Sequence, residues 1–231
     1  MLSKLLSRYA SRIKGGKYTL DDRIPPAYLV RVMRERGLMK IRGMLAFPRR
    51  KHRPFIGDHV TIKAKGKLTL GPGVTFGPGS YVDALSTEGV HLGSNVSIGR
   101  NTRLECTGNL QTLGIGISVG NNVGLGTDCF YGSAGGISIG DDTVIGNLVT
   151  CHSENHSFVD ADTPIRLQGV THSGIVIGSN CWIGAKATIL DGAVIGDGCV
   201  IAAASVVTAG KYTPNGIYAG TPAKLIKSRL E

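Results

Sequence analysis

The sequence predicts an all-β chain wound into a parallel β-helix, and three observations predict it. From Ile56 onward an aliphatic residue recurs every six positions, most cleanly as Ile177, Ile183, Ile189, Ile195, Ile201 and Val207. Four residues after each stands a small or β-branched residue, as at Cys181, Ala187, Ala193, Cys199 and Ser205. The chain also holds 34 glycines while aromatic residues make up only 6%, a composition suited to many tight turns and small interior side chains. A period of six matches neither a helix nor one long strand. It matches a short strand with two inward positions followed by a turn, three such hexads making one triangular coil and the coils stacking.

Residues 1–54 lack the repeat and carry fifteen Lys or Arg against three acids, so this segment is +12 while the remainder is −2. The basic character belongs to an appendage. Within "MLSKLLSRYASRIK", Leu2, Leu5, Leu6, Tyr9 and Ile13 share one helical face with Lys4, Arg8 and Arg12 beside it, so a short helical N-terminal segment is expected. It serves either as a cap on the solenoid or as a peripheral contact with an anionic membrane surface, to which "RVMRERGLMKIRGMLAFPRRKHRP" is suited. Nucleic acid is not an expected partner, because the basic residues are not interleaved with aromatics and match no recognition module.

Residues 55–210 carry the repeat, with earlier runs at Ile56, Ile62, Leu68; Leu70, Phe76, Val82; Leu92, Ile98, Leu104, Leu110; Leu113, Val119, Leu125, Tyr131, Ile137; and Ile139, Ile145, Cys151. Two stretches interrupt it, a short one at 83–91 and a long polar one, the loop 150–174, which carries His152, His156 and His172. Long loops inside compact repeats are usually functional. Residues 211–231 are expected to form a turn and a short C-terminal helix. The five cysteines are an odd number without paired close spacing, which favours free thiols and a reducing cytoplasm over a disulfide framework. Cys129, Cys181 and Cys199 fall at small inward positions and Cys151 at an aliphatic one, so packing is their expected role. No apolar run approaches the roughly 20 residues of a membrane span.

The stretch "NCWIGAKATILDGAVIGDGCVIAAASVVTAG" followed by "NGIYAGTPAKLIK" resembles the hexapeptide-repeat acyltransferases, and among them the sugar O-acetyltransferases of polysaccharide and lipopolysaccharide synthesis and the maltose and galactoside acetyltransferases. The resemblance covers about residues 56–228 and implies a left-handed coil, acetyl-CoA as donor, direct transfer to a sugar or glycan hydroxyl, a homotrimer with active sites between subunits, and no required metal. It implies that His156, in "ENHSFVDADTPIRLQG", is the general base, with His152 the weaker candidate. A sugar hydroxyl is a poor nucleophile at neutral pH, so a base able to take its proton is what this chemistry needs.

Carried over residue by residue, the resemblance implies that Trp182 lies along the pantetheine arm with Ala185. It places Ala203 and Thr208 nearer the nucleotide, and Lys224 and Lys227 near the 3′-phosphate, to which cationic side chains are suited. Asp128, in "LGTDCFYG", matches the position that holds a sugar hydroxyl, although a turn aspartate is an equally good reading. Asp160 is suited to orienting either the loop or the imidazole. Relatives place a basic residue directly after "VVT", whereas here Ala209 and Gly210 precede Lys211. Amino-sugar N-acetylation and xenobiotic acetylation use the same base and stay open. A histidine metal site of the carbonic anhydrase kind and a non-catalytic scaffold are the alternatives from other classes.

Overall fold

The computed structural model describes Ser7 and residues 19–231. The helical face expected at Leu2, Leu5, Leu6, Tyr9 and Ile13 lies outside these. Among the described residues the expected β-helix is present: short strands line three faces of a prism. The first face runs from Phe55–Ile56 through Thr75–Phe76 and Ser97–Ile98, is bridged at Gly124, and continues through Val144–Ile145, Trp182–Ile183 and Val200–Ile201 to Gly216–Gly220. The second stacks Thr61–Lys63, Tyr81–Asp83, Arg103–Glu105, Phe130–Gly132, Thr150–His152, Thr188–Leu190 and Val206–Val207. The third stacks Leu68–Leu70, Gly89–Leu92, Gly116–Val119, Ile137–Ile139, Ile175–Ile177, Ala193–Ile195 and Gly210–Tyr212.

All pairing between coils is parallel, so like residues sit over like: Ile139 over Ile177 over Ile195, and Ile145 over Ile183 over Ile201. These columns fill the prism, and Ile183, Ile189 and Ile201 are fully buried. Each such side chain contributes about 1.5–3 kcal/mol of burial. Four of the five cysteines take the packing positions expected of them, and all five are free and buried.

The turns explain the glycines. Between the first and second faces the chain runs Gly99-Arg100-Asn101-Thr102 in one coil and Gly184-Ala185-Lys186-Ala187 in another. The third residue of each is left-handed, with φ of 54° at Asn101 and 61° at Lys186. The first has no room for a side chain: a Cβ on Gly184 would come within 2.5 Å of the Ala203 nitrogen in the next coil.

Three corners between the second and third faces are enlarged, after Asp83, Glu105 and His152. The middle one was not apparent from the repeat. Leu110 and Leu113, read as core positions, lie in an excursion over 106–115 and are exposed, Leu110 at 82%. The hexad spacing continues through them by coincidence of sequence, while the strand holding Leu104 ends at Glu105 and Ile117 and Val119 resume the core.

Helix α1, Pro26–Ala46, covers the first coil as a cap. Gly43 lies against the Pro54 carbonyl, the Arg36 guanidinium sits 4.1 Å over the Phe55 ring, Arg42 pairs with Asp58, and Phe47 is buried in the core. No described helix is long and apolar enough to cross a membrane.

The C-terminal helix is corrected by the structure. Ala223–Ser228 is a strand, antiparallel to Gly216–Gly220. A helix of so few residues is marginal by itself, whereas the open edge of the first face offers a row of backbone partners. We expect Ile189→Ala, which empties a site at the centre of the column, to lower stability by about 2–5 kcal/mol in chemical denaturation.

Candidate functional site

The enlarged corner after His152 is a two-stranded ribbon. Asn155–His156 runs antiparallel to Val170–Thr171, with His156 opposite Val170, and the Ser157 N–H donates to the Gly169 carbonyl at 3.1 Å. The ribbon is fixed at its foot. Ser153 is fully buried, and its hydroxyl donates to the Gly132 carbonyl at 2.9 Å and accepts from the Gly135 N–H at 3.0 Å. On the returning leg, Ser173 and Gly174 donate their N–H groups to the Asp191 carboxylate at 2.8–3.0 Å. His156 is therefore presented on an anchored ribbon, with its imidazole exposed. His152 lies back on the second face, in register with Leu190, its ring 5.5 Å from that of Phe130.

Asp160 orients the loop and not the imidazole. Its carboxylate accepts from the Thr163 hydroxyl at 2.6 Å and the Asp162 N–H at 2.9 Å, and Gln168 donates to the Asp160 and Thr163 carbonyls, both at 2.7 Å. These bonds knit the loop tip. The Thr163 hydroxyl, and after it the Asp162 N–H, holds the Asp160 carboxyl below its usual value.

The expected donor residues fall into groups. Trp182 is on the first face in register with Val144 and Val200, and its side chain is outward, 58% exposed, beside the equally exposed Val144. Ala185 and Ala203 occupy successive turns of the corner between the first and second faces, where the Ala204 N–H donates to the Ala185 carbonyl at 2.9 Å. Lys224 and Lys227 extend from the last strand of the first face and are exposed. Thr208 is a whole second-face strand away from Ala203, at the corner from which the His156 ribbon also rises. The Tyr212 hydroxyl accepts from its N–H at 3.0 Å and donates to its carbonyl at 3.1 Å, which leaves its own side-chain hydroxyl as the group it can offer. Lys211 is on the third face, in register with Val194, a corner removed from Lys224 and Lys227.

Asp128 takes the left-handed position of a corner between the first and second faces, with φ of 55°, and accepts from the Asn101 amide at 2.9 Å. It acts there as a turn residue, at the opposite end of a second-face strand from the corner that carries His156.

Thiol chemistry is disfavoured throughout. Burial raises the pKa of all five cysteines, that of Cys181 to about 11, and a thiol so held is a poor nucleophile near neutrality. An open groove of about 320 Å³ follows the third face beside the ribbon foot, bordered by Glu88, His91, Ser118, Ser138 and Ser173. Sequence reasoning missed Asp191. In "ILDG" it reads as an ordinary Asp-Gly turn, and only its burial, at 7% exposure, sets it apart.

Residues 174–209 match the family described as bacterial transferase hexapeptide (six repeats). WbbJ of Escherichia coli K12, provisionally named a lipopolysaccharide biosynthesis O-acetyl transferase, is 34% identical over 145 residues, 60% of this chain and 71% of WbbJ. A Mycobacterium tuberculosis H37Rv protein provisionally named an acetyltransferase is 31% identical over 169 residues, 73% of this chain. The matched region spans only 52% of that relative's length. Among solved structures, a variant of AntD, an N-acyltransferase from Bacillus cereus in complex with dTDP-4-amino-4,6-dideoxyglucose and coenzyme A, superposes with a TM-score of 0.51 at 20% identity, covering 76% of this chain and 80% of AntD. The chain belongs to the hexapeptide-repeat acyltransferase family, whose fold is a left-handed parallel β-helix.

The Asp160 network has a pH signature. A carboxyl whose folded pKa is below its unfolded one contributes fully above the unfolded value, and the contribution is lost as pH falls through the folded value. Amide exchange over residues 158–168 is therefore expected to stay protected from neutrality down to the ordinary carboxylate range and to accelerate below it. In Asp160→Asn the same amides should exchange fast already at neutral pH.

Proposed function

We propose that this chain is an acetyl-CoA-dependent O-acetyltransferase acting on a sugar hydroxyl of a bacterial surface polysaccharide or its precursor, with His156 as general base. The observation that carries the reading is the ribbon: an exposed imidazole on a two-stranded element whose feet are tied to the rigid coil. A base held in this way can meet a substrate hydroxyl without first being dug out of the core. In the proposed reaction His156 accepts the hydroxyl proton while the sugar oxygen attacks the thioester carbonyl. The tetrahedral intermediate then expels the coenzyme A thiolate, which takes the proton back from His156 as the ester forms.

Trp182 and Val144 form an exposed apolar strip suited to the pantetheine arm, and Ala185 and Ala203 keep the adjoining corner low enough for that arm to pass. Lys224 and Lys227 are suited to the phosphates. We assign the groove bordered by Glu88 and His91 to the approach of the carbohydrate. Trp182 is on the first face and His156 rises from the corner beyond the second face, so the second face separates them. A homotrimer resolves this separation, because one copy's Trp182 edge can then face the next copy's ribbon. Asp128, exposed at the turn it occupies, is assigned to a sugar hydroxyl of the acceptor.

Helix α1 exposes Val30, Ile41 and Leu45 beside Arg34 and Lys40. This combination supports peripheral contact with anionic lipid at the inner face of a cytoplasmic membrane. Co-sedimentation should show binding to vesicles of mixed zwitterionic and anionic lipid and none to purely zwitterionic ones.

Thiol release from acetyl-CoA over a panel of sugars, nucleotide sugars and glycan fragments tests the activity. His156→Ala is expected to lower kcat by about 10²–10⁴. His152→Ala should stay within about tenfold of wild type, and Trp182→Ala should act mainly by raising the KM for acetyl-CoA. Turnover with amino sugars but not with hydroxyl acceptors would replace this reading by N-acetylation.

A further inference from the structure

The register of the second face isolates one residue. The position just after the second-face strand is occupied, in successive coils, by Ala84, Cys106, Ser133, Ser153 and Asp191. The first four are small, neutral and fully buried. At the fifth, immediately above the coil that carries the ribbon, the chain places a carboxylate that is itself only 7% exposed. A buried carboxylate is costly unless its oxygens are satisfied, and every donor recorded for this one comes from the His156 loop. On the returning leg, the Ser173 N–H donates to both oxygens at 2.9 and 3.0 Å, and the Gly174 N–H to Oδ1 at 2.8 Å. On the outgoing leg, the side-chain amide of Asn155, the residue before His156, donates to Oδ2 at 3.2 Å.

We propose that Asp191 is a positioning residue that sets the place of His156 by clamping both legs of its ribbon to the coil above. The proposal rests on the reading of His156 as the general base. A neutral side chain would serve the packing at this position, as it does in the four coils below. The carboxylate supplies what a neutral residue lacks, two acceptor oxygens that take charge-assisted bonds from two legs at once. The backbone bonds fix where the ribbon returns, and the Asn155 bond fixes the rotation of the strand that ends in His156. Displacement of about 1 Å at a base costs up to about 10² in rate, so the clamp acts on turnover through His156 and not on donor binding, since its hydrogen bonds are all to the His156 loop.

The test compares steady-state kinetics and amide exchange in the full chain for Asp191→Asn, Asn155→Ala, His156→Ala and the double variant Asp191→Asn/His156→Ala. Asp191→Asn retains the shape but turns a donor toward donors. It is expected to lower kcat by about 10- to 100-fold, to leave the KM for acetyl-CoA within about twofold, and to speed exchange in residues 153–174 alone. Asn155→Ala should show the same pattern with a smaller loss, and it carries the test if Asp191→Asn does not fold. The deciding comparison is the cycle: with His156 already replaced, Asp191→Asn should cost nothing further. Equal fold losses in both backgrounds, or wild-type kcat in Asp191→Asn, would overturn the positioning role and leave His156 as base. Wild-type turnover in His156→Ala would overturn the base assignment and the clamp with it.

Discussion

The constraint on which this molecule depends is the ladder of backbone hydrogen bonds between coils. Every coil must present its N–H and C=O groups at one strand spacing from the next, about 4.8 Å, and must do so on three faces at once. A side chain at the wrong turn position breaks that spacing, which is why Gly184 cannot carry even a methyl group without meeting the Ala203 nitrogen. The isoleucine columns follow from the ladder. Once backbones are locked in parallel register, like side chains are stacked on like, and the core is a set of columns instead of a jigsaw.

Because the faces cannot absorb extra residues, insertions gather at corners. The three large ones share the corner between the second and third faces, and the largest carries His156. The proposed chemistry is thus placed at an edge of the prism, while most of the acyl-donor residues proposed here occupy another edge and the first face. The separation is a direct result of building a site on a solenoid. A ribbon leaving a coil is held by the coils themselves, as Ser153 and Asp191 tie this one, while the Asp160–Gln168 bonds hold its tip together.

Much of the fold was legible because the six-residue period is redundant: it repeats in seven coils, and an error in one is corrected by the next. Where only one copy of a signal exists, the sequence was a poorer guide. Leu110 and Leu113 continued the period by chance and proved to be loop residues. "AKLIKS" carries no repeat, and its strand is decided by an open sheet edge that only the assembled coil provides. Within the site, His156 and Trp182 stood out through motif context, and the structure gives both the exposure such roles require. Asp191 did not stand out, because an aspartate before glycine at a corner looks the same whether it faces water or is buried under a loop. Its significance comes from register, from the four small residues beneath it.

The antiparallel strand Ala223–Ser228 has a consequence for the molecule as a polymer-forming object. A parallel β-helix is in principle an endless lattice: its final coil exposes the same row of unpaired groups that every earlier coil used to recruit its successor, and a second molecule could take that place. By reversing direction on the first face, the chain spends those groups on itself and leaves an outermost strand studded with Lys224 and Lys227, whose like charges repel an identical partner. With α1 packed beside Phe55 at the opposite end, both ends of the first face are covered, which disfavours end-to-end growth along it.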